Sequence, residues 1–194
     1  MKIGILGGTF DPVHLGHLEL AQKALIQFSL GKVILVPTYQ SPHKQKKTFL
    51  NSPQDRCEMV RLAVEGQKGL EVSDCEIQRK GISYSIDTVI ELKKKYPGAE
   101  FFMILGGDSL EGLDSWQRAD ELKKWVRFLV AKRENYGGPV PLGARVEWIQ
   151  MPLCPISASG IRETIRNEKS AEAAVPLKVL RYIQTHSLYR KSER

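Results

Sequence analysis

The chain of 194 residues is 42% hydrophobic, with a formal charge of +7 and a pI near 9.3, enough for one substantial core and an attraction for anions. The cations are dispersed, with short runs only at 44–47, 93–95 and 190–194, which argues against a dedicated nucleic-acid binder. Cys57, Cys75 and Cys154 form no Cys-x-x-Cys pair, strand-like residues begin at Lys2, and no apolar stretch nears the roughly 18 residues of a membrane span.

These features predict one cytoplasmic domain over residues 1–194, with no membrane partner and a helical C-terminal portion from about residue 155 packed on the same core. In chain order, residues 2–6 read as a buried strand and 15–28 as a helix with Leu18, Ala21, Leu25 and Phe28 on one face; Gly31 is expected to end it. Residues 32–37 form the next strand. After a loop over 38–50, Ser52-Pro53-Gln54-Asp55 supplies an N-cap, a first-turn proline and a capping-box acid for a helix to about residue 65, with Met59, Leu62 and Ala63 inward. A short strand at 70–73, a helix at 86–95 and a strand at 100–105 lead into Gly106-Gly107-Asp108. Strands follow at 127–131 and 146–149, separated by a Gly- and Pro-rich surface loop at 134–143, and the chain ends in helices at 157–166 and 176–185. Alternating strands and helices predict a doubly wound parallel α/β sheet. Its ligand crevice should lie at the carboxyl ends of the strands, where segments 7–17, 39–47 and 106–116 emerge.

The first of these, Gly7-Gly8-Thr9-Phe10-Asp11-Pro12-Val13-His14-Leu15-Gly16-His17, joins a strand to a helix start. Glycines let backbone N–H groups turn toward an anion, the helix start adds its dipole, and His14 and His17 can aim two imidazoles at one place. The pattern is neither a Rossmann Gly-x-Gly-x-x-Gly nor a P-loop. Ile156-Ser157-Ala158-Ser159-Gly160-Ile161-Arg162 offers a second anion-binding helix start, with Arg162 as a forked donor. Gly106 and Asp108 can receive a ribose or a triphosphate, Lys44 can reach a second anion, and Tyr84 and Trp116 can stack on a planar ring. Taken singly, each has an ordinary reading as a tight turn, an N-cap, a solvated cation or a core aromatic. Joined in one strand-turn-helix, the glycines and histidines of residues 7–17 read as a nucleotide or phosphate site.

Together these residues resemble the nucleotidylyltransferase superfamily, marked by a His/Thr-x-Gly-His motif after the first strand and a Ser-containing helix start ending in Ile-Arg. Ser83-Tyr84-Ser85-Ile86-Asp87-Thr88 and the 108–116 segment are similar to its bacterial nicotinate-nucleotide adenylyltransferase branch, and the likeness spans nearly the whole chain. The chain departs mildly from that branch, with Ala158 where a hydroxyl is usual, Ser41-Pro42-His43-Lys44 for Pro-Pro-His-Lys, and Ser85 for Thr. The resemblance implies a Rossmann-like nucleotidylyltransferase fold and adenylyl transfer from ATP, accompanied by Mg2+ without a dedicated protein ligand cluster, to nicotinate mononucleotide. It implies catalytic roles for His14, His17 and Arg162, and ATP contacts from these three with Gly8, Thr9, Phe10, Gly106, Asp108, Ile156, Ser157 and Ile161. Lys44, Tyr84, Ser85 and Trp116 would meet the acceptor, and a homo-oligomer is left open. The alternatives are pantetheine-phosphate or another small-molecule adenylyltransferase, with which Thr in place of His14 would fit better, and a non-catalytic nucleic-acid binder.

Overall fold

The computed structural model describes residues 1–42, 51–131, 139–152 and 154–190. Its six strands are β1 (Lys2–Gly8), β2 (Lys32–Pro37), β3 (Leu70–Val72), β4 (Glu100–Gly106), β5 (Val126–Ala131) and β6 (Val146–Ile149). They form one parallel sheet in the order β3-β2-β1-β4-β5-β6. Every carboxyl end therefore lies along one edge. The order reverses between β1 and β4, whose ends carry Gly7-Gly8 and Gly106, so a crevice opens where those glycines leave the sheet.

The strands are buried on both faces, and their side chains divide with a period of two. Leu6, Val33, Leu35, Phe102, Ile104 and Leu129 face one core layer, which is closed by α1 (Leu15–Gln27), α2 (Pro53–Val64), α7 (Ala158–Arg166) and α8 (Leu177–Thr185). Ile3, Ile5, Ile34, Met103, Phe128 and Val130 face the other, closed by α3 (Cys75–Arg79), α4 (Ser85–Lys95), α5 (Gly107–Glu111) and α6 (Ala119–Trp125). Gly4 is required by close approach: a Cβ there would stand 2.9 Å from Leu30 Cδ1 and 3.0 Å from Ile104 Cδ1. No helix among the described residues is long and apolar enough to cross a membrane.

The expected strands and the long helices appear within one or two residues of their predicted bounds, and Ser52 caps α2 by accepting from the Asp55 N–H at 3.0 Å. Gly31 does not end α1. Ser29, at φ 50°, takes the left-handed position after Phe28, while the Leu30 and Ser29 N–H groups close back on the carbonyls of Leu25 and Ile26. Gly31 instead enters β2, donating to the Lys2 carbonyl at 2.8 Å. Helices α3, α5 and α6 and the 3-10 turn Leu113–Ser115 are additional to the elements expected from sequence.

Candidate active site

The carboxyl edge of the sheet holds a cleft of about 270 Å³. Gly7, Gly8 and Thr9 bound it on the β1 side; Tyr84, Ser85 and Trp116 stand among its other walls. The segment after β2 is tied to the entrance of α4. Ser83 donates its N–H to the Gln40 carbonyl at 2.8 Å, and its Oγ accepts from the Tyr39 N–H at 2.9 Å. Trp116 follows the 3-10 turn, in which Ser115 Oγ donates to the Gly112 carbonyl at 2.7 Å. Two half-buried aromatic rings, hydroxyl groups and bare backbone share this space, as a planar ring with polar substituents needs.

The histidine motif adjoins the cleft through Gly8 and Thr9. Phe10, at φ 50°, turns its ring into the core, where it packs under Gly8 and edge-on to His17 at 5.0 Å between centroids. Only the backbone of Phe10 is therefore positioned to meet a ligand. His14 and His17 stack with centroids 3.6 Å apart and rings inclined by 28°. The His14 N–H donates to His17 Nδ1 at 3.2 Å, which leaves the His17 proton on Nε2, as a donor. Gly16 allows this packing, because a Cβ there would lie 2.7 Å from Cys154 Sγ and 3.2 Å from His14 Nδ1. No acidic side chain occupies the first turn of α1, so the positive end of that helix is not neutralised locally. Burial pushes the His14 pKa down to about 4, and burial followed by the charge of His14 pushes His17 well below the ordinary histidine range. Both imidazoles are neutral near pH 7.

Arg162, the fifth residue of α7, reaches back 151 positions and donates Nη1 to the Asp11 carbonyl at 2.8 Å. Ser157 caps that helix, accepting from the Gly160 N–H at 3.2 Å, and no acidic side chain lies in the first turn. Ile156 packs half-buried against the core, while Ile161 is fully within it and its N–H is taken by the Ser157 carbonyl. These two isoleucines seat the helix start. Gly106 caps α5 with open space where a Cβ would be, and Asp108 is exposed in the first turn. The cleft thus unites Gly8, Thr9, Tyr84, Ser85 and Trp116, whereas His14, His17 and Arg162 group around the 9–14 turn beside it. Lys44 lies outside the described residues.

The family model described as cytidylyltransferase-like matches residues 5–164. A protein of Exiguobacterium sibiricum named probable nicotinate-nucleotide adenylyltransferase is 40% identical over 189 residues, covering 97% of this chain and 99% of that one. The chain belongs to the nicotinate-nucleotide adenylyltransferase family. An Opitutus terrae protein of the same name is 40% identical over 200 residues, covering all of both chains. The nicotinic acid mononucleotide adenylyltransferase of Plasmodium falciparum, solved in complex with NaAD, has the same Rossmann-like fold, with a TM-score of 0.79 at 19% identity over 97% of each chain.

For a nicotinate-nucleotide adenylyltransferase, three residues beyond the recognised motifs stand out. Arg56 on α2 is fully buried and donates Nη1 to the Thr9 carbonyl at 2.7 Å and Nη2 to the Tyr39 carbonyl at 3.1 Å. Tyr189 donates its hydroxyl to Asp11 Oδ1 at 2.7 Å, and Asn51 donates to the same oxygen at 3.0 Å. Glu76 lines the cleft, 5% exposed, accepting from Thr88 Oγ1; burial pushes its carboxyl above the usual range, against the Thr88 and Ser83 hydroxyls and the charge of Arg79. Arg56 was detectable in the sequence as a charged residue at the start of the inward 56, 59, 60, 63 row of an amphipathic helix. Nothing local marks Glu76 or Tyr189.

Proposed function

We propose that the chain transfers the adenylyl group of ATP to nicotinate mononucleotide, giving nicotinate adenine dinucleotide and pyrophosphate in the formation of NAD. The observation that carries this reading is the joining of the Gly7–Thr9 turn and the Tyr84, Ser85 and Trp116 walls in one cleft, in a chain 40% identical over its length to proteins bearing that name. Three free cysteines fit a reducing compartment, the cytoplasm.

A phosphate oxygen of the mononucleotide attacks the α-phosphorus of ATP; a P–O bond forms there, and the bond to the bridging oxygen breaks as pyrophosphate leaves with the electron pair. The nucleophile is already an anion, so no general base is needed. The protein's task is to align two polyanions and neutralise the charge that spreads over the transferring group. In this reading the 8–10 backbone cradles the triphosphate, with Gly106, Asp108 and the Ile156–Ile161 helix start around the nucleotide. His17 donates from Nε2, the tautomer supported by the His14 N–H, and Arg162 adds its guanidinium. Neutral imidazoles at the start of α1 serve as N–H donors, and a bound triphosphate favours their protonated forms. Tyr84 and Trp116 enclose the pyridine ring, Ser85 meets its carboxylate, and Lys44 the acceptor's phosphate. No group of three His, Cys, Asp or Glu side chains comes together among the described residues, and Asp11 is engaged by Tyr189 and Asn51. Mg2+ would accompany ATP and would supply positive charge beside that of Arg162 to shield the triphosphate.

The test is pyrophosphate release from ATP and Mg2+ with a panel of acceptors. Release should require nicotinate mononucleotide, with weaker use of the nicotinamide nucleotide, whose amide lacks the negative charge of the carboxylate. Equal or better turnover of phosphopantetheine would remove the reading.

A further inference from the structure

Arg56 is the largest fully buried side chain of the molecule's described part, and it is a cation. A charge so placed is costly unless its donors are directed to acceptors, and the acceptors of its two terminal nitrogens are informative. One guanidinium nitrogen holds the Thr9 carbonyl, in the turn after β1; another holds the Tyr39 carbonyl, in the segment after β2. The first turn lies against the triphosphate in the reading above. The second is the segment bound to Ser83, next to Tyr84 and Ser85 of the acceptor wall. Burial lowers the Arg56 pKa, and the charge that most offsets this is that of Asp11, which Tyr189 and Asn51 hold by its Oδ1 while Arg162 holds its carbonyl. A planar fork can span two carbonyls with fixed spacing; a lysine ammonium, a point charge on a flexible stem, cannot.

Resting on the proposed reaction, we infer that Arg56 is a positioning residue that sets the spacing between the ATP-binding turn and the acceptor wall, so that the two bound nucleotides meet in line. Arg56 touches neither substrate. Its loss should leave each nucleotide's own contacts intact and spoil their mutual alignment, and a misplacement of about 1 Å can cost on the order of 100-fold in rate.

The experiment compares wild type with R56K, using thermal melting to establish folding, calorimetry to measure binding of a non-hydrolysable ATP analogue and of nicotinate mononucleotide separately, and steady-state kinetics. The expected result is a kcat lowered about 30- to 100-fold, with both dissociation constants within about threefold of wild type. A folded R56K protein with near wild-type kcat overturns the proposal. So does a loss of affinity for either nucleotide as large as the loss of kcat, which would mark a general structural role. Should R56K not fold, Y189F decides, because it removes only the hydroxyl that anchors Asp11 beside Arg56; a kcat lowered with both affinities unchanged supports the proposal, and wild-type kcat overturns it. Wild type that fails to use nicotinate mononucleotide removes the functional reading and this proposal together, whereas active wild type with an unaffected variant removes this proposal alone.

Discussion

In the proposed reaction His17 is the residue on which the chemistry leans most. Its Nδ1 is committed to the His14 N–H, its ring is clamped between His14 and Phe10, and its remaining nitrogen is a donor fixed before substrate arrives. Removing one preorganised donor typically costs about 3 to 4 kcal/mol in the transition state, so His17→Ala should lower kcat about 100- to 1000-fold. Alanine is a good helix former at this third position of α1, so circular dichroism and thermal melting should show an intact fold. A folded variant with near wild-type kcat at saturating substrates would make the histidine structural. At this scale the sequence made legible which groups gather at the crevice: Tyr84 and Trp116 line the cleft, and His14 and His17 stack beside it. Phe10 and Ile161 turn out to be buried, because apolar residues inside a binding motif also have a core to fill. Arg56, Glu76 and Tyr189 act through partners 12 to 178 positions away, a separation no local pattern encodes.

The entrance of α1 concentrates two neutral imidazoles at the positive end of a helix, where neither burial nor dipole favours a second charge. The consequence for stability has a definite sign. Unfolded histidines protonate near pH 6.5, whereas folded His14 resists to about pH 4 and burial holds His17 well below the ordinary histidine range, so the unfolded state binds more protons as pH falls. Stability is full above about pH 6.5 and is lost progressively toward pH 4, by about 3 kcal/mol from His14 alone. Urea unfolding at pH 7 and pH 4 should show a smaller loss in a His14→Gln variant than in wild type; equal losses would mean that His14 is not held neutral by the fold. Other elements show why sequence reading stops where it does. The helices α1, α2, α4, α7 and α8 run nine residues or more and display their periodicity, whereas α3 and α5 have five residues and α6 seven, too few turns for a pattern to repeat. Ser29 ends α1 in a left-handed conformation that the sequence suggested only for a glycine.

For the whole molecule, the sheet order does the assembling. Because all six strands are parallel and the order turns at β1, segments that leave β1, β2 and β4 share one edge, and residues as distant as Thr9 and Trp116 line one cleft. The alternation of strand and helix made this topology readable in advance; the closure of the site from behind was not. That closure comes from the other end of the chain: Arg162 and Tyr189 both engage Asp11, and Cys154 packs on Gly16, so the turn between β1 and α1 is held by residues that follow the last strand. In the proposed reaction this assembled edge moves an adenylyl group. The most direct measurement is a reaction of the protein with Mg2+, nicotinate mononucleotide and ATP carrying a radioactive label at either the α- or the γ-phosphorus. The α-label is expected to enter a dinucleotide and the γ-label to leave in pyrophosphate, one for one. Transfer of the γ-label to the acceptor, or an α-label recovered only as free AMP, would contradict it.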